Sequence, residues 1–188
     1  MSGKITIALA GLGSRGKDTY AQAVKKFPEK MEIVAIADID PAKVEEVAEV
    51  FHIPQERWFT SAEDLIAQDK LADVMFITTQ DQQHVRQAIP ALRKGYHLLL
   101  EKPISPDLDE CRELVKVAKE CDRQVIVCHV LRYTPIYSKV KEVIDSGVAG
   151  DIVSVMSIEN VGYWHQAHSF VRGNWRNSNT TSPMILLM

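Results

Sequence analysis

The chain has 188 residues, 46% of them hydrophobic and 25% charged, with 22 Lys and Arg against 25 Asp and Glu. These proportions exclude collagen-like, low-complexity and intrinsically disordered classes, and a chain of this length can bury a real core. The formal net charge of -3 gives no overall attraction to nucleic acid or to anionic membranes.

No run approaches the ~18 apolar residues of a membrane span, and the apolar start MSGKITIALAGLG meets glycines rather than a cleavage site. A soluble, cytoplasmic protein is expected, with neither a nucleic-acid nor a membrane partner. The three cysteines, Cys111, Cys121 and Cys128, have no CxxC spacing. They read as reduced, mostly buried thiols, not as a disulfide framework or a zinc site.

Apolar runs of strand length alternate with amphipathic stretches of helix length. KITIALA precedes RGKDTYAQAVKKF, EIVAIAD precedes PAKVEEVAEVF, and ADVMFITT precedes DQQHVRQAIPALRKG. HLLLEKP then precedes PDLDECRELVKVAKE, and QVIVCHV closes the series. Strands apolar on both faces belong to a parallel sheet covered on both sides, so a doubly wound α/β domain is predicted. Asp40 before Pro41, Ser61 before Glu63 and Asp64, and Ser105 before Pro106 and Asp107 mark helix starts. Pro90 inside a helical pattern predicts a kink or a helix restarting at Ala91.

From about Arg132 the rhythm changes. IYSKVKEVIDSG predicts a helix ending at Gly147, GDIVSVMSIENV a long alternating strand, and GYWHQAHSFVRGNWRNSNTTSP a polar, aromatic and basic loop. The boundaries follow as a first domain over 1–130 and a partial second one over 131–188. The final run, MILLM, reads either as the mark of a truncated fragment or as a short last strand of the sheet.

The first strand runs directly into GLGSRG, with Gly11, Gly13 and Gly16 at GxGxxG spacing. A dinucleotide diphosphate needs a tight turn, a backbone position without Cβ for close approach, and a small residue where helix meets strand. Asp38 ends the second strand about 20 residues further on, where a carboxylate accepts from the adenosine ribose hydroxyls and repels a 2'-phosphate. NAD is the expected cofactor, with NADP possible through Arg15, and Asp40 is read as a helix cap. HLLLEKP sets Glu101, Lys102 and Pro103 at the carboxyl end of a strand, where ligands lie in open parallel sheets. The neighbouring exit ITTQDQQH adds polar groups to the same crevice.

At this point the chain resembles the Gfo/Idh/MocA oxidoreductases, named for glucose-fructose oxidoreductase, inositol 2-dehydrogenase and a rhizopine catabolism protein. The likeness is carried by GLGSRG with ADID, by TTQDQQHVRQAIPALRKGYHLLLEKP, by RYTP, and by the glycines of DSGVAGDIVSV. It implies a Rossmann domain followed by the beginning of an α+β C-terminal domain, and a homodimer or homotetramer in the full-length form. It also implies NAD(P)-dependent oxidation or reduction of sugars, inositols or related polyols. By the same likeness Lys102 lies beside the nicotinamide and the substrate hydroxyl. Glu101 contacts the nicotinamide side, while Thr79, Gln80 and His84 line the cofactor cleft. Ser14 and Arg15 accompany the loop glycines. Gln80 stands where many members carry proline. Members usually place a His and an Asp on a helix soon after the segment that here reads TSPMILLM, and this sequence ends first.

The chemistry asks for such a lysine, because an ammonium stabilises the alkoxide that develops as hydride leaves a carbinol carbon. A bound nicotinamide cation and partial burial would both depress its pKa from about 10.4. Trp164, His168, Arg172, Trp175 and Arg176 suit sugar faces, hydroxyls and carboxylates, or else form an ordinary exposed loop. His129 and Arg132 follow the last strand and are placed in the crevice, with a satisfied core role left open for His129. His165 and His168 have HxxH spacing without a third ligand, so no metal is expected. His52 and His97 are read as structural. Three functions stay open: an NAD-dependent dehydrogenase using Lys102, a dinucleotide-binding regulator or inactive fragment, and an NAD-dependent glycosidase.

Overall fold

The computed structural model describes residues 3–158, 160–173 and 175–177. The TSPMILLM run lies outside them, and with it the short last strand that was one of the two readings of MILLM. Contacts divide the chain between Val127 and Cys128.

In the first unit one sheet holds β1 (Ile5–Ala10), β2 (Met31–Ala37), β3 (Trp58–Phe59), β4 (Val74–Ile77), β5 (His97–Leu100) and β6 (Val125–Val127). All neighbours pair in parallel, in the order β3-β2-β1-β4-β5-β6. This is the doubly wound Rossmann arrangement. Its order reverses between β1 and β4, which opens a crevice beyond their carboxyl ends. A π-helical segment, Ser14–Ala21, runs into α1 (Gln22–Lys26), and α2 (Pro41–Phe51), α3 (Ala62–Ala67), α4 (Asp81–Arg93) and α5 (Leu108–Glu120) follow.

The doubly apolar strands have a direct packing cause. Ile7 and Leu9 of β1 enter one layer with Val24, Val44 and Val47, while Ala8 and Ala10 enter the other with Met75, Val85, Ala88 and Leu98. Each large aliphatic side chain buried this way contributes roughly 1.5–3 kcal/mol relative to exposure. Ile7 opposes Ile33 and Ala8 opposes Ala35, so Val34 is an extra residue in β2. That bulge shifts the alternation and keeps Ile33 and Ile36 in the same layer.

Asp40 caps α2 by accepting from Ala42 N–H at 3.1 Å, and Ser61 caps α3 by accepting from Asp64 N–H at 3.0 Å. The start of α5 differs from expectation. Asp107 is its cap, taking Asp109 N–H at 2.7 Å and Glu110 N–H at 3.0 Å, while Ser105 accepts from Asp107 N–H one step earlier. A carboxylate serves two orphan donors and favours the helix dipole, so it displaces the serine from that role. The helix does not restart at Ala91, because α4 continues through Pro90 to Arg93. Proline has no N–H to offer the Arg86 carbonyl, and both Pro90 and Arg86 are exposed residues.

The pattern reading passed over β3, which at two residues is too short to show a period. Trp58 holds it by donating its indole N–H to Ile53 O at 2.8 Å. Cys128 is buried, whereas Cys111 and Cys121 are only half-buried. Among the described residues no helix is long and apolar enough to cross a membrane.

From Cys128 onward a 3-10 turn, Val130–Tyr133, leads into α6 (Pro135–Asp145), the predicted helix, with Gly147 past its end at φ +73°. The strand expected over GDIVSVMSIENV is not formed among the described residues, and Val153 is 95% exposed. Alternation alone does not make a strand, because its backbone groups need a paired ladder. The predicted loop is instead helical at its start, with α7 (Tyr163–His165) continuing as a π-helical segment, Gln166–Val171. Gln166, Ala167 and Phe170 are half-buried at helical spacing, a pattern masked by the aromatic and polar residues around them.

Candidate functional site

At the end of β1 the chain turns at Gly11, whose φ is +90°. A Cβ there would lie 2.7 Å from the Thr78 carbonyl and 2.8 Å from Thr79 N, so only glycine fits. At Gly16 a Cβ would sit 1.9 Å from Gly11 O and 2.7 Å from Thr78 Oγ1, which is what lets the helix approach β1 and β4. Gly13 is different: its φ of -72° is ordinary and a Cβ would meet nothing within 4 Å. Two of the glycines are required by the protein's own packing, and the third leaves space open at a helix N-terminus. Ser14 and Arg15 are exposed beside that space. Lys17, in the next turn, pairs with Glu46 at 2.9 Å, and this hydrogen bond raises its pKa.

Asp38 ties the loop to the end of β2. Its Oδ2 accepts from Leu12 N–H at 2.6 Å and its Oδ1 from Asp40 N–H at 2.9 Å. Each carboxylate oxygen retains a second acceptor site, so ribose hydroxyls can still be bound. Thr78 was missed by sequence reasoning. Its hydroxyl reaches Gly11 O at 2.6 Å and Ala10 O at 2.9 Å, closing the loop from β4. Nothing in the run ITT distinguishes Thr78 from Thr79.

Past β4 and β5 the construction changes. Thr79 donates its hydroxyl to Gln87 Oε1 at 2.6 Å, and Gln87 donates in turn to Glu63 at 3.0 Å. Gln80 is the N-cap residue of α4, half-buried and without a side-chain capping bond. His84 is buried. Its Nδ1 lies 2.7 Å from Pro103 O and its Nε2 3.1 Å from Thr79 O. Carbonyl oxygens thus flank both sides of the ring, and the neutral imidazole, with one N–H, donates to one of them, so the ring lies between the two strand exits. Glu101 is also buried, accepting from the Tyr20 hydroxyl at 2.6 Å and from Lys102 N–H at 3.0 Å. Tyr20 is a second residue that sequence reasoning missed. Lys102 precedes a cis bond to Pro103, and its side chain is exposed, so the partial burial expected of it does not hold.

At the amino end of the sheet Asp73 accepts from the backbone and hydroxyl of Thr6 at 2.9 and 2.7 Å. These bonds, the backbone one foremost, hold its carboxyl below the ordinary 3.8. Burial pushes the Tyr96 hydroxyl up, although it accepts from Leu71 N–H.

Of the residues expected at the substrate, His129 and Arg132 are exposed around the turn before α6, so His129 is not a core histidine. His168 is exposed and rests against Trp164, with ring centroids 3.8 Å apart. Arg172 follows the π-helical segment, with half-buried Trp175 and exposed Arg176 just beyond. His165 contacts Ser169 Oγ through Nδ1 at 3.3 Å.

Residues 5–129 match the profile of an oxidoreductase family with an NAD-binding Rossmann fold. The chain is 29% identical over 159 residues to inositol 2-dehydrogenase of Corynebacterium glutamicum, covering 84% of this chain and 46% of that protein. To an oxidoreductase of Formosa agariphila it is 31% identical over 154 residues, covering 82% and 47%. The WlbA dehydrogenase from Bordetella pertussis, solved in complex with NADH and UDP-GlcNAcA, matches with a TM-score of 0.74 at 27% identity. That match covers 81% of this chain and 42% of the other. The chain spans about half the length of the curated relatives it matches.

Proposed function

The chain belongs to the oxidoreductase family with an NAD-binding Rossmann fold, and from that premise we propose that it serves hydride transfer between NAD and a hydroxyl-bearing carbon of a sugar, inositol or related polyol. The observation that carries this reading is the open space at Gly13, bounded by Gly11 and Gly16 at the point where strand order reverses. A diphosphate fits there because no Cβ intrudes and helix N–H groups face it. Gly11, Gly13, Ser14, Arg15 and Gly16 would hold the diphosphate, and Asp38 the adenosine ribose. Thr79, Gln80 and Glu101 would flank the nicotinamide half. His84, its ring flanked by backbone carbonyls, supports that edge from behind. When bound, the nicotinamide supplies the hydride acceptor.

Lys102, as the free amine, takes the proton of the substrate hydroxyl, and the ammonium so formed donates a hydrogen bond to that oxygen and stabilises the negative charge that develops on it. His129, Arg132, His168, Arg172, Trp175 and Arg176 offer donors and stacking faces for a polyol. The inositol and nucleotide-sugar relatives support that substrate class. The proposed functional unit is a homodimer or homotetramer.

The test couples NADH titration by fluorescence with NADH formation across a panel of inositols and sugars. Lys102→Ala is expected to lower turnover by roughly 10²–10⁴-fold while leaving NADH affinity nearly unchanged. Unaltered turnover in Lys102→Ala rejects the role of the lysine, and absence of NADH binding rejects the function.

A further inference from the structure

Glu101 and Lys102 leave β5 together, yet the first is 7% exposed and the second is exposed to solvent. A carboxylate withdrawn that far from water persists only where donors satisfy it. Tyr20 and the Lys102 N–H supply them, at 2.6 and 3.0 Å. On the other side of Lys102 the Pro103 carbonyl lies 2.7 Å from His84 Nδ1. The backbone bearing the ammonium is thus pinned from both flanks, by the helix that follows the glycine loop and by α4. The Tyr20 ring stands edge-on to Phe76 of β4, with centroids 6.0 Å apart and an interplanar angle of 78°, which fixes the approach of its hydroxyl. The segment that carries it is π-helical, a winding found frequently at functional sites.

We infer that Tyr20 is a positioning residue for the redox end of the site, holding Glu101, and with it the backbone that carries Lys102, in place against the nicotinamide half. The inference rests on the NAD reading above. A dinucleotide lies across the switch point with its halves over opposite halves of the sheet. Asp38 ends β2 on one side of that point and Glu101 follows β5 on the other, so losing the Tyr20 hydroxyl touches the nicotinamide half alone.

The experiment compares NADH with ADP-ribose, which lacks the nicotinamide ring, as ligands of the full chain. Tyr20→Phe is expected to weaken NADH on the order of tenfold and to leave ADP-ribose unchanged. In a Glu101→Ala background the same substitution should cause little further loss, because the two residues act as one unit. Should Tyr20→Phe fail to fold, Glu101→Gln, which keeps an acceptor for the hydroxyl, is expected to retain far more of the NADH preference than Glu101→Ala. Equal losses for both ligands, unchanged NADH affinity in Tyr20→Phe, additive effects in the double variant, or Glu101→Gln as impaired as Glu101→Ala overturns the inference alone. Wild-type protein that binds neither ligand overturns the NAD reading and this inference with it.

Discussion

Over β1 and β2 the carboxyl edge of the sheet is made by leaving side chains out, whereas over β4 and β5 it is made by burying polar ones. Gly11 and Gly16 let backbone meet backbone at distances a Cβ would forbid. Tyr20, His84, Gln87 and Glu101 instead hold the other half through side-chain hydrogen bonds. On the proposed function, the difference follows from what each half would face. A diphosphate would be bound by backbone N–H groups that must be approached closely, while the redox end would need one ammonium held at a chosen place.

Substitutions at the glycines test the first half most severely. Gly16→Ala forces a Cβ into the Gly11 carbonyl and is expected to cost about 1–3 kcal/mol, visible as a drop of several degrees in Tm, and to abolish NADH binding. Gly13→Ala is its control. With nothing within 4 Å of the added Cβ, it should leave Tm unchanged and still weaken NADH, because the methyl group occupies ligand space. A parallel fall in Tm for both would erase the distinction between a glycine the fold requires and one the ligand requires.

Asp38→Asn comes next. One amide oxygen replaces two acceptors, so either Leu12 or Asp40 loses its N–H partner. The expected result is a loss of roughly 1–3 kcal/mol in thermal or denaturant unfolding, with a smaller preference for NADH over NADPH in competition binding. Retained discrimination would remove Asp38 from ribose recognition while leaving its structural role.

The smallest effect lies at the amino end of the sheet, remote from both halves. Asp73 has a folded-state pKa below its ordinary 3.8. Its stabilisation is therefore present above that value and is lost as pH falls through the lower, folded value. Asp73→Asn should lower Tm by a few degrees at pH 7, with the gap to wild type closing in acid and NADH affinity unaffected. A gap that persists at low pH would show that Thr6 is held by something other than the charge.

Much of the fold was legible because its causes are local. Two-sided apolar strands, caps at Asp40 and Ser61, and GxGxxG after a strand all follow from sterics and hydrogen bonding within a few residues. The same local rules misread GDIVSVMSIENV, whose alternation has no paired ladder among the described residues, and missed β3, which is too short to carry a period. They also placed α5's cap at Ser105, where Asp107 outcompetes it as an acceptor for two donors.

By itself the sequence determined the order of strands and helices, the glycine turn and the acid that follows it, because each is written in spacings shorter than a helix or a strand pair. Tertiary structure alone decided that Thr78 closes on Gly11, that His84 spans two strand exits, and that Tyr20 holds Glu101. Those partners lie 67, 19 and 81 residues apart in sequence. Contacts at such separations leave no periodic trace, since they arise only when the parallel sheet brings the ends of distant strands to one edge.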